Sequence, residues 1–285
     1  MFDTTNYYTF MSSHTDSKLC KRGHNKSGKH HLRQIGLALL SDRASHLPLF
    51  YRLYEGNTHD SKVFRQVIDE MFDVMCGFNR TKQRLTVVFD KGMNSEEAIG
   101  IIDDNTRIHF VTTYAPHYVE ELAGIDAKKF MPLDIEHNRA LLENHQGADQ
   151  MTAYRTRLAL WGQERTVVVT YNPRTARKQC YTLEQKLETV RETLIEFRRK
   201  YHDQSPQWRD PDTIRDRYHR VCEQLHIGSQ YYRIEFGDRR KAPEMSFRRD
   251  HYQIKKAEAL FGKNVIVTDN HNWSTEEIVQ LSLDR

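Results

Sequence analysis

The sequence predicts an α/β fold, a mixed sheet flanked by helices and interrupted by a large α+β insertion, and three observations carry that prediction. Two apolar runs, residues 32–40 and 47–54, are joined by the turn-like Ser41-Asp42-Arg43-Ala44-Ser45-His46, as in a β-hairpin. The short apolar run Leu85-Thr86-Val87-Val88-Phe89 stops on Asp90 and a Gly92 turn, as a buried parallel strand does. Helical apolar spacing then alternates with strand-like runs through residue 113.

The elements follow in chain order. Phe2 to Phe10 is rich in β-branched and aromatic residues and adds a strand to the hairpin, making a three-stranded antiparallel sheet. After the Gly56-Asn57 turn, Val63, Val67, Ile68, Met71 and Met75 recur at helical spacing, so residues 60–76 form an amphipathic helix that covers one sheet face. Ser95 with Glu97 opens a further helix through Ile102, and Ile108-His109-Phe110-Val111-Thr112 reads as the next strand. These elements make residues 1–113 the first part of the core.

From about residue 114 to 262 the text is more polar and reads as an insertion. Strands are expected at Thr166 to Tyr171 and Tyr231 to Phe236, on either side of two helices. Leu183, Leu187, Val190, Leu194, Phe197 and Tyr201 form the apolar stripe of the first helix, with Thr182 and Gln185 as its expected capping box. In the second, Asp210 caps, Pro211 takes the first position, and Ile214, Tyr218, Val221 and Leu225 make the stripe. The two are expected to pair as an antiparallel hairpin. Residues 263–285 return to the core with the strand Asn264 to Asp269 and a helix opened by Ser274-Thr275-Glu276-Glu277. No Gly, Asn or Pro stop signal ends that helix, so Arg285 reads as a cut, and the abrupt Met1-Phe2-Asp3 start gives the same expectation of a fragment.

Composition sets the bounds. At 285 residues and 38% hydrophobic content the chain can bury a large core. A net charge of +4 with 29% charged residues permits a polyanionic partner without demanding one. The four cysteines are far apart with no C-x-x-C pair, which argues against a disulfide framework and a zinc ribbon and fits a reduced cytoplasmic compartment. No run approaches the length of a membrane span, and no signal sequence opens the chain.

Asp3 and Asp90 are the acids with a chemical reading. Each is an isolated carboxylate in an apolar or β-branched strand, where an uncompensated charge is expensive and a metal ion relieves the cost. If their strands lie side by side, the carboxylates converge at the sheet's end and could bridge two Mg²⁺ ions roughly 3.5 to 4 Å apart, an arrangement suited to in-line phosphoryl transfer. The plainer reading of Asp90, a strand-end Asp capping the following turn, stands beside that one.

Five motifs then fall in order: Asp3-Thr4-Thr5-Asn6-Tyr7-Tyr8-Thr9-Phe10, Gly23-His24-Asn25-Lys26-Ser27-Gly28-Lys29, the run Gln34 through Leu40, Gly56-Asn57-Thr58-His59-Asp60, and Val87-Val88-Phe89-Asp90-Lys91-Gly92-Met93-Asn94-Ser95. In this order they resemble the DDE transposases of bacterial insertion sequences, and the tail from Val265 to Arg285 resembles the lead-in to their signature helix. The resemblance implies a ribonuclease H-like fold with Asp3 as first and Asp90 as second catalytic and metal-binding acid. It implies metal-dependent DNA end cleavage and strand transfer with Mg²⁺ or Mn²⁺, transposon ends and target DNA as partners, a homodimer in synapsis, and a bacterial cytoplasmic, nucleoid-associated setting. The family's third acid lies in Tyr-x2-Arg-x3-Glu. Arg285 matches the Arg, Ser282 stands at the Tyr, and the Glu would fall four residues past Arg285, outside the chain. The alternative is a catalytically inactive remnant that binds DNA or a partner transposase, and a ribonuclease H-like nuclease unrelated to transposition is a third reading.

Basic residues supply the expected DNA contacts. From His14 to Arg33 there are six Lys or Arg, four His and one Asp, with Lys26, Lys29 and Arg33 as candidate phosphate contacts beside Arg285. A solvated loop is the plainer reading of that segment, and zinc on Cys20 with His24, His30 and His31 is disfavoured by the single Cys and irregular spacing. A second cluster, Arg239-Arg240-Lys241 with Arg248-Arg249, lies near Tyr231, Tyr232 and Phe236.

Overall fold

Period-2 alternation governs the start of the chain in the computed structural model, which describes residues 1–11, 16–23, 28–78, 84–114, 122, 124–237 and 244–284. Strand β1 (Phe2–Thr9) pairs antiparallel with β3 (Arg33–Ser41), with Phe2 opposite Leu40 and Thr9 opposite Arg33. The short β2 (Lys21–Arg22) pairs with the start of β3, and β4 (Pro48–Glu55) pairs along its length. Alternate β3 residues Gln34, Gly36, Ala38 and Leu40 are buried, so one face of this four-stranded sheet is the core face.

Helix α1 (Asp60–Phe78) covers that face with Val63, Phe64, Val67, Ile68 and Met71, the stripe expected from the sequence. Beyond it come β5 (Leu85–Phe89), α2 (Glu96–Asp104) with Ser95 as its N-cap, β6 (Ile108–Tyr114), the short β7 (Met131–Pro132), α3 (Glu136–Glu143), β8 (Thr152–Leu160) and β9 (Gln163–Tyr171). Next are α4 (Pro173–His202), α5 (Pro211–Gln224), the antiparallel pair β10 (Tyr232–Phe236) and β11 (Met245–Arg249), and α6 (His251–Glu258). The chain closes with β12 (Lys263–Thr268) and α7 (Thr275–Leu283), whose Ser274–Glu277 capping box forms as expected.

Two compact units result, Met1–Thr170 with Asn264–Arg285, and Tyr171–Lys263. In the first, a six-stranded mixed sheet runs β5-β6-β12-β9-β8-β7, with β5 and β6 parallel and β12 antiparallel to β6. Its two faces are sorted by alternation. Val87, Phe89, Ile108, Phe110, Val167, Val169, Val265 and Val267 join α1 and α2 in one core, while Val88, Val111, Val168 and Ile266 meet Ile278 and Val279 of α7 in another. This is the expected α/β architecture, a ribonuclease H-like mixed sheet with helices on both faces. None of the described helices is long and apolar enough to cross a membrane.

The sequence places the insertion at 114, yet the second unit begins at Tyr171, and β7, β8 and β9 from the intervening segment extend the core sheet. The signal that escapes a polar-text reading is the turn: Trp161 (φ 51°) and Gly162 (φ 73°) both take the left-handed conformation of a tight hairpin. Trp161 tolerates it because its ring packs edge-on against Phe110 and Tyr114. In the second unit, the stripes of α4 and α5 share one core with Tyr232, Met245 and Ile254. Helix α4 starts nine residues before the expected Thr182. Asn172 accepts from Thr175 N–H and Pro173 takes the first turn, whereas the Thr182 hydroxyl donates to the Lys178 carbonyl inside the helix.

Gly36 shows how tightly the first sheet is drawn. It sits between Asn6 of β1 and Tyr54 of β4, and a Cβ there would lie 2.1 Å from the Tyr54 ring. Because Tyr54 is buried, the ring cannot swing clear. Gly36→Ala is therefore expected to cost about 1–3 kcal/mol, the usual range for overpacking. Urea unfolding checks this, and the cost should shrink in a Tyr54→Val background, where the obstructing ring is gone.

Candidate active site

Asp3 and Asp90 reach their positions by the same alternation that builds the core. Phe2 and Thr4 are buried on the α1 side of β1, so Asp3 between them points to the opposite face. Phe89 is buried on the α1 side of β5 and Val88 on the α7 side, so Asp90, next in the alternation, also belongs to the α7 side. Strand β1 packs beside β5, although the two belong to separate hydrogen-bonded sheets. Met1 shares a cavity lining with Leu85, Thr86 and Val88, which brings the start of β1 to β5. Both aspartates thus point away from α1, Asp3 from β1 and Asp90 from the neighbouring β5.

Their immediate settings differ. The Asp3 carboxylate accepts the Thr4 N–H at 2.8 Å through Oδ1. Asp90 Oδ1 accepts the Lys91 N–H at 2.8 Å, capping a 3-10 turn at Lys91–Met93, and also accepts the Thr113 hydroxyl at 3.0 Å. The turn-cap reading of Asp90 is correct as far as it goes, and the cap leaves the carboxylate facing solvent. Both aspartates are exposed. This corrects the expectation that burial makes their charge expensive: water already solvates them, and no desolvation cost calls for a metal. What remains is donor chemistry. Two solvent-facing carboxylates offer hard oxygen ligands of the kind Mg²⁺ takes while keeping several waters. Among the described residues no group of three or more His, Cys, Asp or Glu could hold a metal ion, so the pair stands without a third ligand there.

Other acids are accounted for. Asp269 accepts the Phe110 N–H at 2.8 Å and faces His109 at 2.8 Å and Arg84 at 3.3 Å, tying the end of β12 to β6. Asp284 pairs with Arg43 and accepts Gln280, fixing the end of α7 to the first hairpin turn. Arg155 donates to the His271 and Trp273 carbonyls and so holds the loop that leads into α7. Asp60 opens α1 beside Tyr54; burial pushes the Tyr54 hydroxyl up to about 12, with the Asp60 and Asp3 charges adding to that rise. Thr113, Arg43 and Arg155 escape sequence reasoning because each acts through a partner 23 to 241 residues away.

The proposed DNA contacts are placed in part. Arg33 lies opposite Thr9 and Arg22, on the same sheet face as Asp3, and lines an open cavity of about 430 Å³ with Lys21 and Arg22. Lys29 donates to the Tyr8 hydroxyl at 3.0 Å and lies 4.3 Å from its ring centre. Lys26 and Arg285 lie outside the described residues, as do His24 and the Arg239-Arg240-Lys241 run. Arg248 and Arg249, the rest of that second cluster, are spent on Glu235, Glu184 and Glu188.

The structure thus gives an α/β sheet with two exposed carboxylates and, at the far end of β1, a basic strand end. Over residues 13–220 the chain matches the transposase DDE domain family, and it belongs to that family. Membership gives a transposase function and implies DNA phosphoryl transfer with a divalent metal ion. The matched span takes in Asp90 and begins after Asp3. No curated protein and no solved structure matches the chain.

The raised Tyr54 hydroxyl makes a pH prediction. In the unfolded chain it titrates near 10, and in the folded protein near 12. The unfolded state therefore releases this proton first, so stability is full below pH 10 and falls as pH rises from 10 to 12. Tyr54→Phe should flatten that part of a stability–pH curve measured by urea unfolding.

Proposed function

We propose that the protein catalyses metal-dependent cleavage at the ends of an insertion sequence and joins them to target DNA, with Asp3 and Asp90 as the ligands of Mg²⁺ or Mn²⁺. The observation that supports this reading is that both carboxylates are exposed and point away from α1, Asp3 from β1 and Asp90 from the end of the neighbouring β5. A divalent ion bound there would polarise the phosphoryl oxygens and lower the pKa of an attacking water or 3′-hydroxyl.

The chain's own residues do the rest. Thr113 and the Lys91 N–H hold the Asp90 carboxylate from one side, which orients it toward the ion, as second partners of metal ligands do. Thr5, Tyr7 and Thr9 continue the Asp3 face along β1 toward Arg33 and Arg22, and Tyr7 is 60% exposed. Six residues of strand separate Asp3 from Thr9, about 20 Å at the usual rise, enough for several nucleotides to lie between the acids and the cationic end. In each step the attacking oxygen gives up its proton to water as it forms the new phosphorus–oxygen bond, while the leaving 3′-oxygen departs opposite and takes a proton from water, with no covalent protein intermediate. Synapsis of two ends would use a homodimer, in the bacterial cytoplasm at the nucleoid.

A second reading, a transposase relative that binds DNA or a partner transposase without catalysis, is favoured by one observation: Asp3 and Asp90 have no third acid with them among the described residues. A strand-transfer assay with pre-cleaved ends and Mg²⁺ separates the two. Joined product that falls by on the order of 10³-fold in Asp90→Asn and in Asp3→Asn supports catalysis. Thr113→Val should lose about 10-fold and raise the Mg²⁺ requirement, because only the orienting hydroxyl is gone. DNA binding with no joining, unchanged in all three variants, supports the second reading.

A further inference from the structure

Charge is divided unequally between the two units. Tyr171–Lys263 contains 21 Lys and Arg against 14 Asp and Glu, a net +7, while the remainder holds 22 against 25, a net −3. The whole-chain value of +4 therefore hides a cationic unit and a mildly acidic one.

Within the cationic unit, the cations differ in what they rest on. Of those the sequence singles out, Arg249 is neutralised by Glu184 and Glu188 and Arg248 by Glu235, and the neighbouring Arg233 is paired with Asp250. At the end formed by the last turns of α4, the 203–210 connection and the start of α5, four cations lie on aromatic rings, and of these Lys200 and Arg215 also have a carboxylate partner. Arg217 is 4.1 Å and Lys200 4.7 Å from the Trp208 ring centre, Arg215 is 5.0 Å from Phe236, and Arg198 is 5.3 Å from Phe247. The rings are themselves in contact with the core: Trp208 meets Phe197 at 4.9 Å and Phe236 meets Tyr201 at 5.2 Å.

A ring holds a guanidinium in place without cancelling its charge, whereas a carboxylate does both. Arg198 and Arg217 have no carboxylate partner among the described residues, nor have the exposed Arg199 and Arg209 beside them. Acids of the same end are partly engaged: Glu196 by Lys200, Asp212 by Arg215, and Asp210 as the α5 cap. Asp203 and Asp216 are the exposed acids left there. The result is a set of held, uncancelled guanidiniums, which present forked donors suited to phosphate oxygens.

Resting on the transposase reading above, we infer that this end of the second unit is a docking surface for the phosphate backbone of duplex DNA. Arg198, Arg199, Arg209 and Arg217 are its cations. Phosphate contacts hold no base information, so the surface adds affinity equally across sequences.

The test uses the full chain and a fluorescein-labelled duplex of about 30 base pairs, with anisotropy titrations across a NaCl series and a labelled RNA hairpin titrated in parallel. Arg198→Gln/Arg217→Gln should lower the slope of log K against log salt by about 1.8, at about 0.9 for each phosphate no longer neutralised, and weaken binding about tenfold or more at low salt. Arg199→Gln/Arg209→Gln, whose side chains rest on no ring, should give the same slope change without disturbing packing, so misfolding of the first variant does not rescue or spoil the result. Arg191→Gln, which removes a cation already paired with Glu188 on the same helix, should leave the slope unchanged. A wild-type chain that binds duplex DNA while both double variants keep its slope and affinity overturns this inference and leaves the transposase reading intact. Weaker hairpin RNA binding in both double variants, with duplex binding preserved, overturns it too, and a wild-type chain that binds no DNA removes both.

Discussion

The pleat of β1 and β5 is the constraint on which the candidate site depends. Side chains of a strand point alternately to its two faces, so burying Phe2 and Thr4 against α1 leaves Asp3 no choice of side, and burying Phe89 there sends Asp90 to the other. A one-residue slip in either strand would exchange charged and apolar faces at once. The penalty for such a slip is large: Phe2, Phe64 and Phe89 form a continuous ring stack at 5.0 and 4.8 Å, and each buried aromatic contributes about 1.5–3 kcal/mol. The aspartates are thus aimed by the hydrophobic core, not by contacts of their own.

That dependence explains which parts of the molecule are legible in the sequence. Alternating and helical apolar patterns report burial directly, so β3, β4, α1, β5, β6 and the stripes of α4 and α5 can be read from spacing. The caps at Asp210 and Ser274 can also be read, since a cap is a local hydrogen bond between residues three apart. Where two local signals compete, spacing favours the wrong one: Thr182 with Gln185 looks like a capping box, but Asn172-Pro173 starts the helix earlier and leaves Thr182 bonded inside it. The β8–β9 hairpin escapes because its turn depends on Trp161 in a left-handed conformation, a choice made by distant rings.

The candidate site is legible only as residue types. Spacing identifies Asp3 and Asp90 as isolated strand acids, and the cost of burial that would single them out physically does not survive their exposure. Sequence cannot supply the hydroxyl of Thr113 on Asp90, the Arg43 pairing that ties down α7, or the Arg155 clamp on the loop before it. Each is a long-range contact, set by topology and not by neighbours in the chain. The basic residues are legible only as formal charge, for a related reason. A run of Arg letters records formal charge, while the field a partner meets is what survives pairing, and Arg248 and Arg249 are cancelled by glutamates from their own strand pair and from α4.

Pairing and stacking are therefore the variables that sort the cations of this protein. An exposed ion pair contributes little to stability, about 0–1 kcal/mol, but it removes a charge from the surface seen by a polyanion. A cation on a ring gains a comparable amount and removes none. In the first unit, Arg52 is likewise spent on Glu70. Aromatic residues that look surplus on a polar surface, such as Trp208, are then understood as supports. They join the core through one edge and hold a charge with the other, so the hydrophobic packing that fixes the aspartates in one unit also fixes guanidiniums in the other.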